Sequence, residues 1–204
     1  MRPLQAHQPA YAVHGATVVM GGSAGGFAAF TAILAALPPD FALPILLVQH
    51  LHPNDEGAFA LHLAGATKLP VIEPCDKERI ERGQVYTAPA DYHMLVERNG
   101  TIALSTEEKV HWSRPSIDVL FESAARALGE RVIAVLLSGA SVDGAAGIRA
   151  VKAAGGLTIA QDPATAEYPL MPRAAIDTGA VDEVLPVEEI GRRLVELGRR
   201  SGGM

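Results

Sequence analysis

The sequence predicts an α/β fold, namely a doubly wound, mostly parallel sheet with helices on both faces and a small antiparallel hairpin insertion. Short apolar runs alternate with stretches whose apolar residues recur at helical spacing, which is the pattern of strands joined by helices. Aromatic residues make up only 5% of a chain that is 49% hydrophobic, so we expect an aliphatic core, as in buried parallel sheets. The 204 residues suit one domain with one core.

The first part of the chain predicts three short strands, with a helix after each of the first two. The first helix has apolar residues at helical spacing between Phe27 and Leu37, and Pro38–Pro39 are expected to stop it. Asn54 and Asp55 are candidate caps for the second helix, which is expected to run to about Ala66. The strands are predicted at Thr17–Met20, Pro44–Val48 and Pro70–Ile72.

The middle of the chain predicts a different arrangement, a small antiparallel flap. Three short strand-like runs follow one another, and Asn99-Gly100 lies between the last two. Asn-Gly between such runs is a strong signal for a tight hairpin turn. The three runs are Gln84–Thr87, His93–Glu97 and Thr101–Ser105.

The last part returns to alternating helices and strands. Pro115 is expected to open an amphipathic helix that Gly129 ends. The run Val132–Leu137 is entirely apolar, which predicts a central strand. The apolar helix face consists of Ile117, Leu120, Phe121, Ala124, Ala125 and Leu128. Further strands are predicted at Leu157–Ala160 and Glu183–Leu185, and further helices at Ala145–Ala154, Pro172–Thr178 and Val187–Arg199.

The composition argues against several classes of protein. A net charge of −6 without a basic patch is not typical of a nucleic-acid binder. Cys75 is the single cysteine, so an internal disulfide is impossible, no zinc pattern is present, and a reduced, cytoplasmic protein is expected. No apolar run approaches the roughly 20 residues of a membrane span. Residues 1–14 lack a signal-peptide core and are predicted to be a flexible leader before one domain at 15–204.

Three predicted strand ends carry a serine, a histidine and an aspartate. Ser23 follows the first strand, His50 follows the second, and Asp143 comes shortly after the strand Val132–Leu137. In open α/β sheets, sites form beyond the carboxyl ends of the strands, so these side chains are expected at one edge. A nucleophile, a general base and an orienting carboxylate make up a catalytic triad. That chemistry needs no metal or organic cofactor, and none is predicted.

The glycine-rich segment Gly21–Gly26 around Ser23 is the most informative of the three. Its glycines permit a tight turn and close approach of a substrate, and the following helix is expected to direct free N–H groups at an oxyanion. It fits neither the dinucleotide-binding pattern nor the P-loop, and by itself it leaves open a phosphate-binding or packing turn. It fits Gly-x-Ser-x-Gly, but the order Ser, His, Asp differs from the Ser, Asp, His of α/β-hydrolases.

Other residues compete for these roles or assist them. His52 is the rival base, a histidine satisfied in the core is the alternative for His50, and a turn residue is the alternative for Asp143. Arg114, just before the amphipathic helix, and Arg173, in a later helix, are candidates to hold a substrate carboxylate. A solvated residue in a first helical turn is the alternative for both arginines.

At these residues the sequence resembles the catalytic domain of the CheB family, the chemotaxis protein-glutamate methylesterases. The resemblance extends from about Val18 to Pro186. The chain departs from the family pattern at Ala24, where a small hydroxyl residue is common, and at Gly139–Ser141, where Gly-Met-Gly is common. Six segments carry the resemblance in order: Gly21–Gly26, Val48–His50, Val85–Pro89, Arg114–Phe121, Leu137–Ala145 and Met171–Ala175.

The resemblance implies a Ser23–His50–Asp143 triad that hydrolyses glutamate methyl esters on chemoreceptors, sometimes with deamidation of receptor glutamines. In this mechanism the backbone N–H groups of Ala24 and Ala140 are expected to hold the oxyanion. Too few residues precede the first strand for the family's usual receiver domain, so the chain is expected to be a stand-alone member or a cut fragment. Activity without phosphorylation control is expected. Nucleic-acid binding and membrane insertion are not expected, and the oligomeric state is not predicted. The alternatives are an esterase of the same chemistry acting on a non-chemotaxis protein, and a non-enzymatic anion-binding module.

Overall fold

The computed structural model describes residues 15–201, so the leader predicted at 1–14 lies outside the described residues. A short 3-10 helix spans Gly129–Arg131. The strands are β1 (Thr17–Gly22), β2 (Ile45–Gln49), β3 (Val71–Ile72), β4 (Val85–Thr87), β5 (His93–Val96), β6 (Ile102–Ser105), β7 (Val132–Leu136), β8 (Leu157–Gln161) and β9 (Glu183–Leu185). The helices are α1 (Gly26–Ala36), α2 (Ala58–Ala64), α3 (Ile117–Leu128), α4 (Ala145–Ala153), α5 (Leu170–Asp177) and α6 (Val187–Ser201).

The strand order confirms the predicted fold class. Within the described residues, seven strands form one parallel sheet in the order β3-β4-β2-β1-β7-β8-β9. β5 and β6 form a separate antiparallel pair. The chain builds the sheet outward from β1 in one direction through β2 and in the other direction through β7. Such a switch in direction opens a crevice beyond the carboxyl ends of the strands involved.

Two apolar layers cover the two faces of the sheet. One layer packs α1 and α6 on the sheet and includes Phe30, and the other packs α3 and α4 and includes Phe121. β1 contributes to both, because successive side chains of a strand point to opposite faces. Val18 and Met20 belong to the first layer and Val19 to the second. Burial on both faces explains why the central strands are mostly apolar.

Helix α3 follows the predicted amphipathic pattern. All six residues of its predicted apolar face are buried, and Gly129 ends the helix with a φ of 60°. Ser116 is the N-cap, and its hydroxyl accepts from the N–H of Val119. The apolar face lies against the sheet, which fixes the start of α3 beside the ends of β1 and β7.

Two predicted elements are wrong in detail. The first predicted flap strand, Gln84–Thr87, is β4 in the parallel sheet, where Val85 and Tyr86 are almost completely buried. A short apolar run does not by itself distinguish a buried parallel strand from a hairpin strand. Helix α2 begins at Ala58, after Gly57, and not at Asn54-Asp55. The Asp55 carboxylate nevertheless accepts from a first-turn N–H of α2, that of Phe59, at 3.1 Å.

The two remaining flap strands form the predicted hairpin. β5 and β6 pair from His93↔Ser105 to Val96↔Ile102, and Gly100 in their turn has a φ of 81°. Its buried side chains join the α3 layer of the core. None of the described helices is long and apolar enough to cross a membrane.

Candidate active site

The three predicted triad residues lie beyond the carboxyl ends of adjacent strands, where β2, β1 and β7 run side by side. The last register pair of β1 and β2 is Gly22↔Gln49, so Ser23 and His50 each directly follow paired residues. The N–H of His50 donates to the carbonyl of Gly22 at 3.2 Å, and the N–H of Ser23 donates to the carbonyl of Ser138 at 2.9 Å. The sheet ladder thus continues into the candidate site and fixes its backbone.

His50 and Asp143 form a direct hydrogen bond at this edge. His50 Nε2 lies 2.7 Å from Asp143 Oδ2, and the two side chains are 13% and 0% exposed. A carboxylate only accepts, so a neutral His50 ring carries its proton on Nε2, which leaves Nδ1 as a proton acceptor. The structure therefore brings the predicted base and its orienting carboxylate together.

Ser23 lies on the neighbouring strand end, partly exposed. Among the hydrogen bonds of residues 15–201, none joins Ser23 Oγ to the His50 ring. A serine hydroxyl moves between staggered positions by rotation about one bond. Hydrogen bonds between a nucleophile and its base often form only in the substrate complex. The role of Ser23 stays a prediction that this backbone arrangement permits.

Asp143 is completely buried and accepts three hydrogen bonds besides the one from His50. The donors are the Ser116 hydroxyl at 2.9 Å and the N–H groups of Ile117 and Asp118 at 2.8 and 3.0 Å. The N–H groups belong to the first turn of α3 and have no acceptor inside the helix. Burial raises the pKa of Asp143, but the hydrogen bonds outweigh it and hold the pKa below its ordinary value. Asp143 is therefore an anion at neutral pH.

A second carboxylate, Asp118, lies beside the first in a different environment. Its side chain is 6% exposed and accepts from the N–H of Gly147 at 2.7 Å and from His111 Nε2 at 3.1 Å. Burial and the charge of Asp143 raise the pKa of Asp118. One ligand-type atom from each of His111, Asp118 and Asp143 lies within 4.8 Å of the others. Hydrogen bonds already occupy these side chains, and we assign no metal ion to them.

The turn between β1 and α1 leaves the start of the helix open. Gly25 is the N-cap with a φ of 73°, no side chain caps α1, and its first turn contains no acidic residue. A Cβ at Gly25 would be strained at this φ and would lie 2.6 Å from Ser138 Oγ. Glu167 is close to Gly25, but it makes no hydrogen bond to α1 in the described structure. The positive end of the α1 dipole is thus available next to Ser23.

The two predicted oxyanion donors, the N–H groups of Ala24 and Ala140, have no acceptor within the described residues. The neighbouring N–H of Gly139, by contrast, donates to the carbonyl of Tyr168 at 3.0 Å. Unpaired backbone donors beside a nucleophile can stabilise charge that develops on a carbonyl oxygen. Their role stays a prediction, and their availability favours it.

Two residues that sequence reasoning missed connect the strand ends. Gln49 Nε2 donates to the carbonyls of Ser23 and His50 at 2.9 and 3.3 Å. Ser138 Oγ donates to the carbonyl of Ala24 at 2.8 Å. Both residues are polar and follow apolar strand residues, which is the sequence signal that could have indicated them. They hold the nucleophile turn against the strands on either side of it.

Arg114 is predicted to hold a substrate carboxylate, but its guanidinium mainly contacts the chain itself. Nε and Nη2 donate to Asp91 Oδ1 at 3.1 and 2.8 Å. Nη1 donates to the carbonyls of Thr106 and Glu107 at 2.7 and 2.9 Å. These bonds tie the start of α3 to the flap. One Nη2–H remains for a ligand, so the substrate role stays a prediction.

Arg173 and His52 lie apart from this network. Arg173 is exposed on α5, and its side chain has no hydrogen bond or ion pair with the described residues, so it is available to a ligand. The exposed His52 ring accepts from the N–H of Asn54 at 3.3 Å. No carboxylate pairs with His52 within residues 15–201, so His50 is the better placed of the two candidate bases.

Comparisons with known proteins find one family of similar sequences. The family described as CheB methylesterase matches residues 18–194. A putative protein-glutamate methylesterase/protein-glutamine glutaminase of Leptospira interrogans is 43% identical over 184 residues, which are 90% of this chain and 95% of that protein. The protein-glutamate methylesterase/protein-glutamine glutaminase 2 of Anaeromyxobacter dehalogenans is 46% identical over 94% of this chain, which spans 56% of that protein.

A solved structure shows the same fold. The CheB methylesterase catalytic domain of Thermotoga maritima superimposes with a TM-score of 0.87 at 37% sequence identity. The match covers 91% of this chain and 100% of that one.

Proposed function

Since the chain belongs to the CheB methylesterase family, we propose that it is a serine hydrolase acting on glutamate methyl esters of chemoreceptor proteins through Ser23, His50 and Asp143. The observation that carries this proposal is the 2.7 Å hydrogen bond from His50 to the buried Asp143, on the strand end next to Ser23. The names of the relatives also support deamidation of glutamine side chains in proteins as a second reaction.

In the first half of the reaction, Ser23 Oγ attacks the ester carbonyl carbon while His50 Nδ1 takes its proton. Asp143 stabilises the resulting imidazolium through the hydrogen bond to Nε2. The N–H groups of Ala24 and Ala140 bind the oxyanion of the tetrahedral intermediate. The carbon–oxygen bond to the methoxy group then breaks, His50 returns the proton to the leaving oxygen, and methanol departs from an acyl-enzyme on Ser23.

In the second half, water replaces methanol at the same carbonyl. His50 Nδ1 takes a proton from the water as it attacks the acyl carbon, and the proton passes to Ser23 Oγ when the ester bond to the enzyme breaks. The products are a free glutamate side chain and the regenerated serine. With a glutamine substrate the first leaving group is ammonia, and the second half is unchanged.

Recognition of the substrate must come mainly from a protein surface. One methylene discriminates between substrates by only about 1–3 kcal/mol, so a pocket for the methyl group supplies little selectivity. Two aromatic side chains are exposed in this region: Tyr92 in the flap is 42% exposed, and Trp112 in the turn Val110–Ser113 that follows the flap is 94% exposed. They support docking of the receptor along the flap around Asp91–Ser105. Arg173, which is exposed on α5, is available to bind a carboxylate of the substrate protein.

The two alternatives make different demands on the site. An anion-binding module would use the open start of α1 and the free N–H of Ala24, but it would have no use for a buried imidazole–carboxylate pair. An esterase with the same chemistry and another protein substrate would use every group named above. The anion-binding module therefore differs from the proposal in having no catalytic activity. The other esterase differs from it only in the protein substrate.

The test is release of methanol from purified chemoreceptor whose glutamates carry isotope-labelled methyl esters. We expect release by the parent chain and none by Ser23→Ala or His50→Ala, because triad members act as a unit. His62→Ala, which changes an exposed histidine on α2, is the matched control and should retain full activity. Hydrolysis of p-nitrophenyl acetate without release from the receptor would favour another protein substrate. Absence of both activities would contradict the proposal that the chain is a serine hydrolase.

A further inference from the structure

A second imidazole–carboxylate pair lies directly behind the proposed catalytic one. His111 Nε2 contacts Asp118 Oδ2, just as His50 Nε2 contacts Asp143 Oδ2. The N–H of Asp118 donates to Asp143 Oδ1 at 3.0 Å and joins the two pairs. The four residues form a continuous row in the order His50, Asp143, Asp118, His111. Only His50 and Asp143 have a role in the proposed reaction.

The two carboxylates cap each other's helices. Asp143, which precedes α4, accepts from the N–H groups of Ile117 and Asp118 at the start of α3. Asp118, in the first turn of α3, accepts at 2.7 Å from the N–H of Gly147 in the first turn of α4. Each carboxylate satisfies N–H groups that have no acceptor within their own helix. The loop that carries Asp143 is thus fixed at two points. Its carboxylate binds the start of α3, and the first turn of α4, which follows the loop, binds Asp118.

Close packing of α3 on α4 allows the exchange. A Cβ at Gly147 would lie 2.5 Å from Phe121 Cβ, so a side chain at this position would force the helices apart. The absence of a side chain at Gly147 therefore allows the helices to approach closely enough for the N–H of Gly147 to reach Asp118. Displacing Asp118 would release the start of α4, and Asp143 lies only two residues before that helix.

The charges around the row explain why Asp118 needs a partner. In the described structure, Asp143 faces it from the loop before α4, His111 faces it from the turn Val110–Ser113, and α4 contributes the uncharged N–H of Gly147. His50 faces Asp143 from the end of β2. Two buried carboxylates side by side repel each other. The His111 donor on the outer side of Asp118 offsets this repulsion.

We propose that Asp118 and His111 are positioning residues that hold the Asp143 carboxylate in register with His50. The catalytic consequence rests on the proposed function, whereas the geometric consequence does not. The side chain of His111 is 41% exposed, so replacing it does not disturb a packed core. A purely structural role would change stability and leave the His50–Asp143 hydrogen bond intact in the folded protein.

The kinetic test compares removal of a group with its conservative replacement. Asp118→Ala should lower kcat about 100-fold with little change in KM, because a misplacement of about 1 Å costs that much. Asp118→Asn should recover most of the rate, since its Oδ1 still accepts from Gly147. His111→Ala should lower kcat less, and His111→Gln, whose amide N–H can replace Nε2–H, should restore it.

Asp182→Ala is the matched control for Asp118→Ala. Asp182 also accepts a backbone N–H, that of Thr158 at 3.0 Å, and pairs with Lys152, but it lies at the amino end of β8, away from the site. Its loss should lower stability and leave kcat unchanged. An equal loss of kcat in Asp118→Ala and Asp182→Ala would overturn the proposal.

The second readout needs no activity. The proton between His50 and Asp143 should give a low-field proton NMR signal in the parent chain, identified by its loss in His50→Gln. We expect this signal to move upfield or broaden in Asp118→Ala and His111→Ala and to persist in Asp118→Asn and His111→Gln. An unchanged signal in both alanine variants would overturn the positioning role. A signal that responds as expected in a parent chain without esterase activity would contradict only the proposed function.

Discussion

Two helices begin beside the proposed triad, and their first turns are built in opposite ways. α1, which follows Ser23, has Gly25 as its N-cap, with no side-chain cap and no acidic residue in its first turn. α3 has Ser116 as its N-cap and Asp118 in its first turn, and it binds the Asp143 carboxylate with its first two N–H groups. One helix start has no side-chain acceptor, and the other holds a fixed anion.

The two helix starts use the same electrostatic attraction for different purposes. A helix start attracts negative charge through its unpaired N–H groups and its dipole. At α3 that attraction is used permanently, to keep Asp143 ionised and in place. At α1 it stays available for charge that develops only during the reaction, which is where preorganised donors accelerate a reaction most. A cap on α1 would stabilise the helix and compete with the oxyanion.

We expect the largest effect on kcat from replacing Asp143, the carboxylate bound at the start of α3. Asp143→Asn should lower kcat by about four orders of magnitude, because the amide favours the wrong tautomer of the histidine. Steady-state hydrolysis of p-nitrophenyl acetate measures it, and Asp182→Asn is the matched control at the other end of the sheet. A loss of less than about tenfold would mean that Asp143 is a helix cap and not a catalytic group.

The next largest effect on kcat is expected from a substitution in the turn before α1. Gly25→Ala and Gly179→Ala replace glycines with similar φ values, 73° and 70°, but a Cβ meets Ser138 Oγ at 2.6 Å in the first case and nothing within 4 Å in the second. Both should lose about 1 kcal/mol of stability from the left-handed backbone. Only Gly25→Ala should lower kcat, by about 100-fold, because Ser23 shifts. Equal kcat values in the two variants would show that the turn does not position Ser23.

The same comparison shows what the sequence could predict. The order of strands and helices followed from apolar periodicity, and the common edge of Ser23, His50 and Asp143 followed from the rule that places sites beyond strand ends. The pairing of Asp118 with Gly147 did not, because it joins residues 29 positions apart through helix packing. β4 was misassigned because a short run such as Val85–Thr87 looks alike in a hairpin and in a parallel sheet.

Gln49 and Ser138 show the same limit in the site itself. Their side chains bind carbonyls 26 and 114 residues away in sequence, so neither contact produces a local pattern. The start of α3 is a partial exception, since Ser116 precedes an amphipathic run and is a recognisable N-cap. That a distant aspartate would share this cap depends on the tertiary approach of two loops.

A smaller effect concerns stability and pH. The pKa of Asp143 lies below its ordinary value of 3.8, so its ionised form stabilises the folded state above that pH, and this contribution is lost as the pH falls through the folded value. Chemical unfolding should show the parent more stable than Asp143→Asn by about 1–2 kcal/mol at neutral pH, the size of a helix-cap effect. The difference should shrink below pH 3.8. A difference that grows on acidification would contradict the assigned direction.

The smallest expected effect tests the open start of α1 directly. Ala28→Asp places a carboxylate in the first turn of α1 at an exposed position, where it should stabilise the helix by about 0.3–1 kcal/mol. The same charge should lower kcat about two- to fivefold, because it competes with the oxyanion for the helix dipole. Ala28→Asn is the uncharged control and should not change kcat. A faster Ala28→Asp enzyme would show that α1 takes no part in charge stabilisation.

The central claim is that Ser23 is a nucleophile activated by His50 and Asp143. The most direct measurement is covalent labelling by a fluorophosphonate, which phosphonylates an activated serine, with the modified residue located by mass spectrometry. We expect one adduct, on Ser23, which is absent in Ser23→Ala and forms much more slowly in Asp143→Asn. An adduct on another serine, or labelling of Ser23 at an unchanged rate in Asp143→Asn, would contradict the claim.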